Sequence, residues 1–469
     1  MQINKYRSHI IISLLSLFLL FFCINLYFKE REVQQQRTVA DPELKSADNE
    51  VNSKDDKLSA STQEQKQPEQ KQPEQKQPEQ KPIRNAIASL AKKEDIQDSS
   101  DPSTLKKLLI KKGIYFGDFL GNEDVELAAP RPANFLTQIN QYFNLYTVPA
   151  WFHHVELKNG QYDFRGIDEV ADFAVAHGAK IQMQSPVWWY VPDWVKKGNF
   201  TPDELKNILK NHIQAVMRHY RDKYPGAVLS WAIVNESMSD SPDFNPKYSL
   251  PNGLRSNLPI WNVIHKPGSN DPTDYIQLAF EWAHEADPTA KLYWTEFNVE
   301  YKGFKMDRWF NIVKQLKDKG VPINGVGFQT HLYQGYNHPF SELTENMDRF
   351  AAIGLTSEIT ELDAIMSTTS PVDPPLFRPT IIGSPTQVDF DKQGKLFAGV
   401  ISACIKAQKC DAIILWGEWD PTSSTNTQYK NKLTGNPLGK MHANILDDNL
   451  KPKPAVAAMV NAARQLISK

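Results

Sequence analysis

Ser230–Glu236 reads S-W-A-I-V-N-E, a tryptophan and an apolar run that end in an Asn-Glu pair. The pattern is that of a buried strand carrying a carboxylate to its open end. Alone, it describes equally well a core strand closed by an ordinary polar pair. A second stretch downstream, Glu358–Asp363 (E-I-T-E-L-D), also brings an apolar run to an end in carboxylates. Around these two stretches, from about Leu105 to Lys469, short β-branched apolar runs alternate with amphipathic helical ones. The strands expected are Gly113–Leu120, Phe143–Val148, Lys180–Pro186, Leu229–Asn235, Lys291–Phe297, Gly325–His331, Thr356–Leu362 and Ala412–Gly417. Helices are expected at Thr201–Tyr220, Asp274–Ala286 and Met306–Lys319, the first opened by Thr201, Asp203 and Glu204 as a helix start prefers. Eight such units predict an α/β fold, a (β/α)8 TIM barrel with long loops.

Upstream of residue 105 the texture differs. Ile10–Phe28 is an almost unbroken apolar run between Lys5 and Arg7 on one side and Lys29-Glu30-Arg31-Glu32 on the other. It is long enough to span a bilayer, and no small-x-small cleavage pattern follows it. Residues 1–30 are therefore expected to form an uncleaved transmembrane signal anchor, with a membrane contact through residues 10–28. The cationic Lys5 and Arg7 favour a cytoplasmic N-terminus. That leaves the remainder outside the cytoplasm, periplasmic or at the cell surface, or secreted if the segment is cleaved. Residues 31–104 are rich in Gln, Pro, Glu and Lys and repeat K-Q-P-E-Q three times over Lys66–Gln80. They cannot build a core, and they read as a disordered tether ahead of a single domain at 105–469.

The net charge of −2 leaves no electrostatic footprint for nucleic acid. Aromatic residues make up 11% of the chain, which suits stacking on sugar faces as well as core packing. The active face of a TIM barrel is built from the C-terminal ends of its strands. Glu236, Glu296, His331, Glu361, Trp416 and Glu418 all fall at such ends. Two acids on separate strand ends are the minimum equipment for hydrolysing a glycosidic bond. Glu418 is read evenly as a cleft residue or as the partner of a surface lysine. No metal-ligand spacing and no Gly-rich phosphate loop is present, so neither a metal nor a cofactor is expected.

With these pieces placed, the domain resembles glycoside hydrolase family 10, the retaining endo-β-1,4-xylanases. Trp231–Glu236 (W-A-I-V-N-E) is similar to the family's W-D-V-V-N-E, and Thr360–Asp363 (T-E-L-D) matches its nucleophile motif. Asn324–Leu332 (N-G-V-G-F-Q-T-H-L), Leu292–Glu300 (L-Y-W-T-E-F-N-V-E) and Leu415–Asp420 (L-W-G-E-W-D) resemble its segments at strands six, five and eight. The resemblance implies Glu236 as acid/base, Glu361 as nucleophile, and His331 against the nucleophile with Asp363 behind it. It further implies Asn235, Gln329, Trp416 and Glu296 as substrate-side groups, and a disulfide between Cys404 and Cys410. Two motifs depart from the family. Tyr146–His154 (Y-T-V-P-A-W-F-H-H) lacks the expected Glu-Asn pair and Lys, and Met183–Tyr190 (M-Q-S-P-V-W-W-Y) has Met183 and Trp188 where histidines are expected. His153, His154, Trp188 and Trp189 are read as rebuilding that half of the cleft with more stacking surface. The expected function is double-displacement hydrolysis within xylan or a related β-1,4-linked polysaccharide, by a monomer. A polysaccharide-binding protein without catalysis and a transglycosylase on the same barrel are the rival readings.

Overall fold

The computed structural model describes residues 99–120, 132–242, 245–256, 260–368, 381–428 and 439–467. The apolar run 10–28 and the K-Q-P-E-Q repeats lie outside the described residues. Among the described residues no helix is long and apolar enough to cross a membrane. The first described helix, Pro102–Ile110, begins inside the range expected as tether. Its start is fixed by the side chain of Asp101, which accepts the Ser103 amide at 2.8 Å, and by proline in its first turn.

The strands are β1 (Tyr115–Asp118), β2 (Leu145–Pro149), β3 (Lys180–Val187), β4 (Val228–Asn235), β5 (Leu292–Glu296), β6 (Gly325–Phe328), β7 (His331–Tyr333), β8 (Thr356–Ile365) and β9 (Cys410–Leu415). Every ladder is parallel, β6 pairs with β8, and β9 pairs with β1, so the sheet closes on itself. The result is the expected (β/α)8 barrel, with one amendment. The stave read as Gly325–His331 is two strands, because Thr330 takes the left-handed conformation (φ 65°) between them. β7 then resumes the ladder against the upper half of β8, His331 opposite Asp363. That partner lets β8 run to Ile365, past the expected end at Leu362.

Helices such as Arg165–Ala176, Pro202–Lys223, Asp274–Ala286, Phe304–Asp318 and Gln387–Lys406 cover the outside. Pro202–Lys223 opens on a reciprocal capping box, with Thr201 and Glu204 each accepting the other's amide. The alternation of strand side chains sorts the core into two shells. On β3, Ile181 and Met183 face outward into the main core with the helices. Gln182 faces inward, where Thr147 donates to it at 2.9 Å. Tyr115, Leu145, Ala412 and Ile414 form a separate apolar plug at the lower end of the barrel. Burying a Leu or Ile of this kind contributes about 1.5–3 kcal/mol. Cys404 and Cys410 are bonded, with Cα atoms 5.4 Å apart, and tie the end of helix Gln387–Lys406 to the start of β9. This is the end of the barrel opposite the strand tips.

Candidate active site

Glu236 follows β4 and Glu361 lies in the upper half of β8, both aimed at the mouth of the barrel. A regular strand points successive side chains to opposite faces, so Asn235 and Glu236 should not share a surface. They do, because Glu236 itself is left-handed at φ 54°. The Gln329 amide Nε2 donates to both, at 3.1 Å to Asn235 Oδ1 and 3.0 Å to Glu236 Oε1. A left-handed non-glycine residue costs about 1–2 kcal/mol, and here three of them, Glu236, Asn298 and Thr330, sit just beyond the tips of β4, β5 and β6. On β8 the same end is reached by a ladder irregularity. The register against β9 shifts between Ile359 and Leu362, which lets Glu361 turn inward although it lies three residues from Glu358, itself an inward residue. Bulges of this kind re-aim side chains beside active sites.

Each carboxylate has its own shell of donors. Glu361 Oε1 accepts from Gln184 Nε2 at 3.1 Å, and its Oε2 lies 3.2 Å from His331 Nε2. The other imidazole nitrogen, Nδ1, is 3.0 Å from Asp363 Oδ2. Burial opposes a charge on His331, but the carboxylates of Asp363 and Glu361 outweigh it and hold the imidazole well above its usual pKa. Burial pushes Glu361 above the ordinary carboxylate range, and the charge of Glu236 adds to this against the pull of His331 and Gln184. At Glu236, Oε2 accepts the indole N–H of Trp188 at 2.9 Å and that of Trp189 at 2.8 Å. Oε1 takes the Gln329 amide and, at 3.4 Å, the Asn235 amide.

The walls are aromatic. Trp416 stacks on Phe119 at 4.2 Å and 10° and meets His331 edge-on. Phe119 also meets Trp151 at 6.1 Å, and from there Trp151, His153, His154, Trp188 and Tyr190 continue the run ring against ring, with His153 parallel to Trp151 at 4°. Burial, reinforced by His154 and Lys196, pushes His153 down to about 4, so near neutral pH it is an uncharged ring. This is the half of the cleft where the sequence departs from the family motifs.

One expectation needs correction. Glu296 does not line the cleft. It is fully buried, accepts the Met238 amide at 2.8 Å and the Trp294 indole at 3.2 Å, and pairs with Lys305 at 3.4 Å. Burial lifts it to about 7, against Lys305 and Arg255. Its strand-end position was right, but β5 turns it toward the barrel wall. Met183 likewise faces the helices, and the β3 residue that reaches the carboxylates is Gln184. Glu418, read evenly as a cleft residue or a lysine partner, is 1% exposed and so does not pair at the surface; it lies near Tyr146, whose ring packs on Phe173 in the helix layer. Asn235, Gln329, His331, Asp363, Trp188, His153 and Trp416 are brought together as expected. Trp189, expected in the rebuilt half of the cleft, is there too, and Gln184 and Arg255 were not expected. The inward parity shared by Gln182 and Gln184 on an otherwise apolar strand was the available signal for Gln184. A lone arginine in a long loop carries no signal at all.

A closed parallel barrel with two buried-edge carboxylates, a histidine–carboxylate pair and aromatic walls at its C-terminal strand ends has the build of a glycoside hydrolase. The chain belongs to glycosyl hydrolase family 10, whose profile matches residues 104–462. Endo-1,4-beta-xylanase B of Thermotoga neapolitana is 28% identical over 359 residues, 76% of this chain and 90% of that one. Endo-1,4-beta-xylanase A of Phanerodontia chrysosporium is 32% identical over 301 residues, 64% of this chain and 62% of that enzyme's length. Among solved structures, xylanase 10B of Thermotoga petrophila in complex with xylobiose superposes with a TM-score of 0.63 at 26% identity, covering 77% of this chain and 98% of that one.

Proposed function

We propose that the protein hydrolyses xylan, or a closely related β-1,4-linked polysaccharide, from within the chain and with retention of anomeric configuration. The observation that carries this reading is the pair of differently furnished carboxylates at one cleft. Glu361, held by the imidazolium of His331 with Asp363 behind it, acts as the nucleophile. Its carboxylate attacks the anomeric carbon while the glycosidic C–O bond breaks. Glu236 gives its proton to the departing oxygen, and in the second half-reaction it takes a proton from the water that displaces Glu361. Such a retaining pair stands about 5–5.5 Å apart. The amide of Asn235, oriented by Gln329 on its oxygen, gives one N–H to Glu236 and has a second to donate to a sugar hydroxyl beside the reacting carbon. Trp416, supported by Phe119, offers a stacking face, and Trp151, His153 and Trp188 continue the aromatic wall from it. The names of the relatives, xylanases, and the xylobiose in one solved neighbour support the substrate class.

The decisive assay is release of reducing ends from xylan by the full chain, with proton NMR to follow the first anomer formed. The β-anomer is expected first, and release is expected to vanish in Glu361→Ala. Binding of xylan without any cleavage by the unaltered protein would sink the reading in favour of a binding module.

We further propose that the apolar run 10–28 anchors the enzyme in a membrane and that the tether holds the barrel outside the cytoplasm. The Cys404–Cys410 bond supports this, since structural disulfides persist in oxidising compartments. Fractionation of cells and protease treatment of intact ones test it. A soluble, protease-shielded barrel in the cytosolic fraction would overturn it.

A further inference from the structure

Glu236 can reach the cleft only while its backbone stays in the left-handed bend at φ 54°, and that bend takes the residue out of the regular ladder. Its amide still donates to Thr295 on β5 at 3.0 Å, but its carbonyl oxygen is taken by Arg255 Nε at 2.9 Å. The Arg255 amide donates to the next carbonyl, that of Ser237, at 2.9 Å, and the amide one residue further on, Met238, is held by Glu296. The segment that leaves Glu236 is thus gripped on both sides by groups from outside the cleft.

The grip is itself fixed. Arg255 Nη2 donates to Asp240 Oδ2 at 3.2 Å, and the guanidinium sits 5.4 Å over the ring of Phe297. Lys305 Nζ donates to the other Asp240 oxygen at 3.0 Å and to the Phe297 carbonyl at 2.6 Å, and it pairs with Glu296. A ring of alternating charges therefore runs from the Glu236 carbonyl through Arg255, Asp240, Lys305 and Glu296 back to Met238. The fork geometry of a guanidinium suits this place, because one nitrogen must serve a carbonyl while another serves a carboxylate.

We infer that Arg255 is a positioning residue for proton transfer, holding the bend that aims the Glu236 carboxyl at the scissile oxygen. It touches neither sugar nor reacting atom and acts through the main chain. The inference rests on the reading of Glu236 as the acid/base.

The test compares two aryl β-xylobiosides that differ only in the proton they need. A dinitrophenolate leaves without one, whereas an unsubstituted phenolate requires it. In Arg255→Met, kcat/KM for the phenyl glycoside is expected to fall by about 10- to 100-fold, the scale of a misplaced catalytic group. For the dinitrophenyl glycoside kcat/KM is expected to stay within about 3-fold, since no proton is needed at that step. Azide is expected to restore turnover of the activated substrate by replacing the water that Glu236 would otherwise deprotonate. Arg255→Lys keeps the charge without the fork and is expected to show the same selectivity; it also serves should the Met variant fail to fold. Equal losses on both substrates, or none on either, would overturn the inference. Glu236→Ala run alongside separates the two claims. A selective loss in Glu236→Ala but not in the Arg255 variants refutes the role of Arg255 alone, and no selective loss in Glu236→Ala refutes the acid/base reading beneath it.

Discussion

Two glutamates on β8 stand three residues apart, both turned inward and both buried, and they differ in their partners. Glu358, low in the barrel, accepts one hydrogen bond, from Ser230 at 3.1 Å across the interior. Burial lifts it to about 8, with the charge of Asp411 adding and Ser230 and Lys291 opposing. Glu361, at the mouth, is just as buried, yet it has Gln184 on one oxygen and the His331–Asp363 pair on the other. Burial alone turns a carboxyl into a neutral, inert acid. Donors, and above all a cation, pull in the other direction and favour the ionised form that can attack carbon, against the burial that still leaves Glu361 above the ordinary range. The difference between the two positions lies in what surrounds the residue, since both occur in one short motif and one fold layer.

The largest effect that this contrast predicts is in activity. Glu361→Gln is expected to cost about 10⁴-fold or more in kcat, the scale on which removal of a nucleophile registers, whereas Glu358→Gln is expected to leave kcat within about 3-fold because the group touches no substrate. Steady-state hydrolysis of xylan by both variants decides it, and comparable losses would erase the distinction. A smaller effect comes from the cation. His331 lowers the pKa of Glu361 by charge and by hydrogen bonding, so removing it should move that pKa further up. With a charged hydrogen bond contributing about 1.5–3 kcal/mol and about 1.36 kcal/mol per pKa unit, His331→Asn should shift the acid limb of kcat/KM upward by about one to two pH units. A limb that stays put, or moves to lower pH, would show that the imidazole does not hold the carboxylate ionised.

The barrel itself was legible because its signal is redundant. Eight apolar runs, spaced by helical ones, survive errors at every boundary, and the pairing of β9 with β1 that closes the sheet follows from the count. Thr360–Asp363 was also legible. Glu361 and Asp363 share parity, so both meet His331 once β7 is laid against β8. Two of the misses came from reading strand ends without the alternation along the strand, which puts Glu296 on the side of Leu292 and Trp294 and Gln184 on the side of Gln182. Glu296 was placed by its strand end, but a side chain at a strand tip has two directions to choose from, and the Met238 amide and Lys305 drew it into the wall. Gln184 was passed over, although its side chain reaches the carboxylates while that of Met183 faces the helices. Arg255 acts across 19 residues of loop through a main-chain oxygen, and no residue-type pattern encodes a contact of that kind.

The smallest expected effect isolates the lower member of the pair, and its sign follows from proton counting. Glu358 holds its proton to about pH 8 in the folded chain, against 4.5 when exposed. Between those values the folded state binds one more proton than the unfolded state. Stability from this group is therefore complete at and below the unfolded value and declines as pH rises, levelling off only above the folded value. At pH 7 the deficit is about 3 kcal/mol, from about 1.36 kcal/mol per unit of pKa difference. Glu358→Gln keeps the shape and the Ser230 partner without an ionisable group. Urea unfolding of the two proteins at pH 5, 7 and 9 should therefore give curves that nearly coincide at the acid end and separate as pH rises, with the variant the more stable. Because Glu361→Gln also discards His331's anionic partner, it should not show that gain: its imidazolium would keep only Asp363. If Glu358→Gln is destabilising at every pH, the carboxyl is ionised and paired in the folded barrel, and the contrast between the two positions on β8 does not hold.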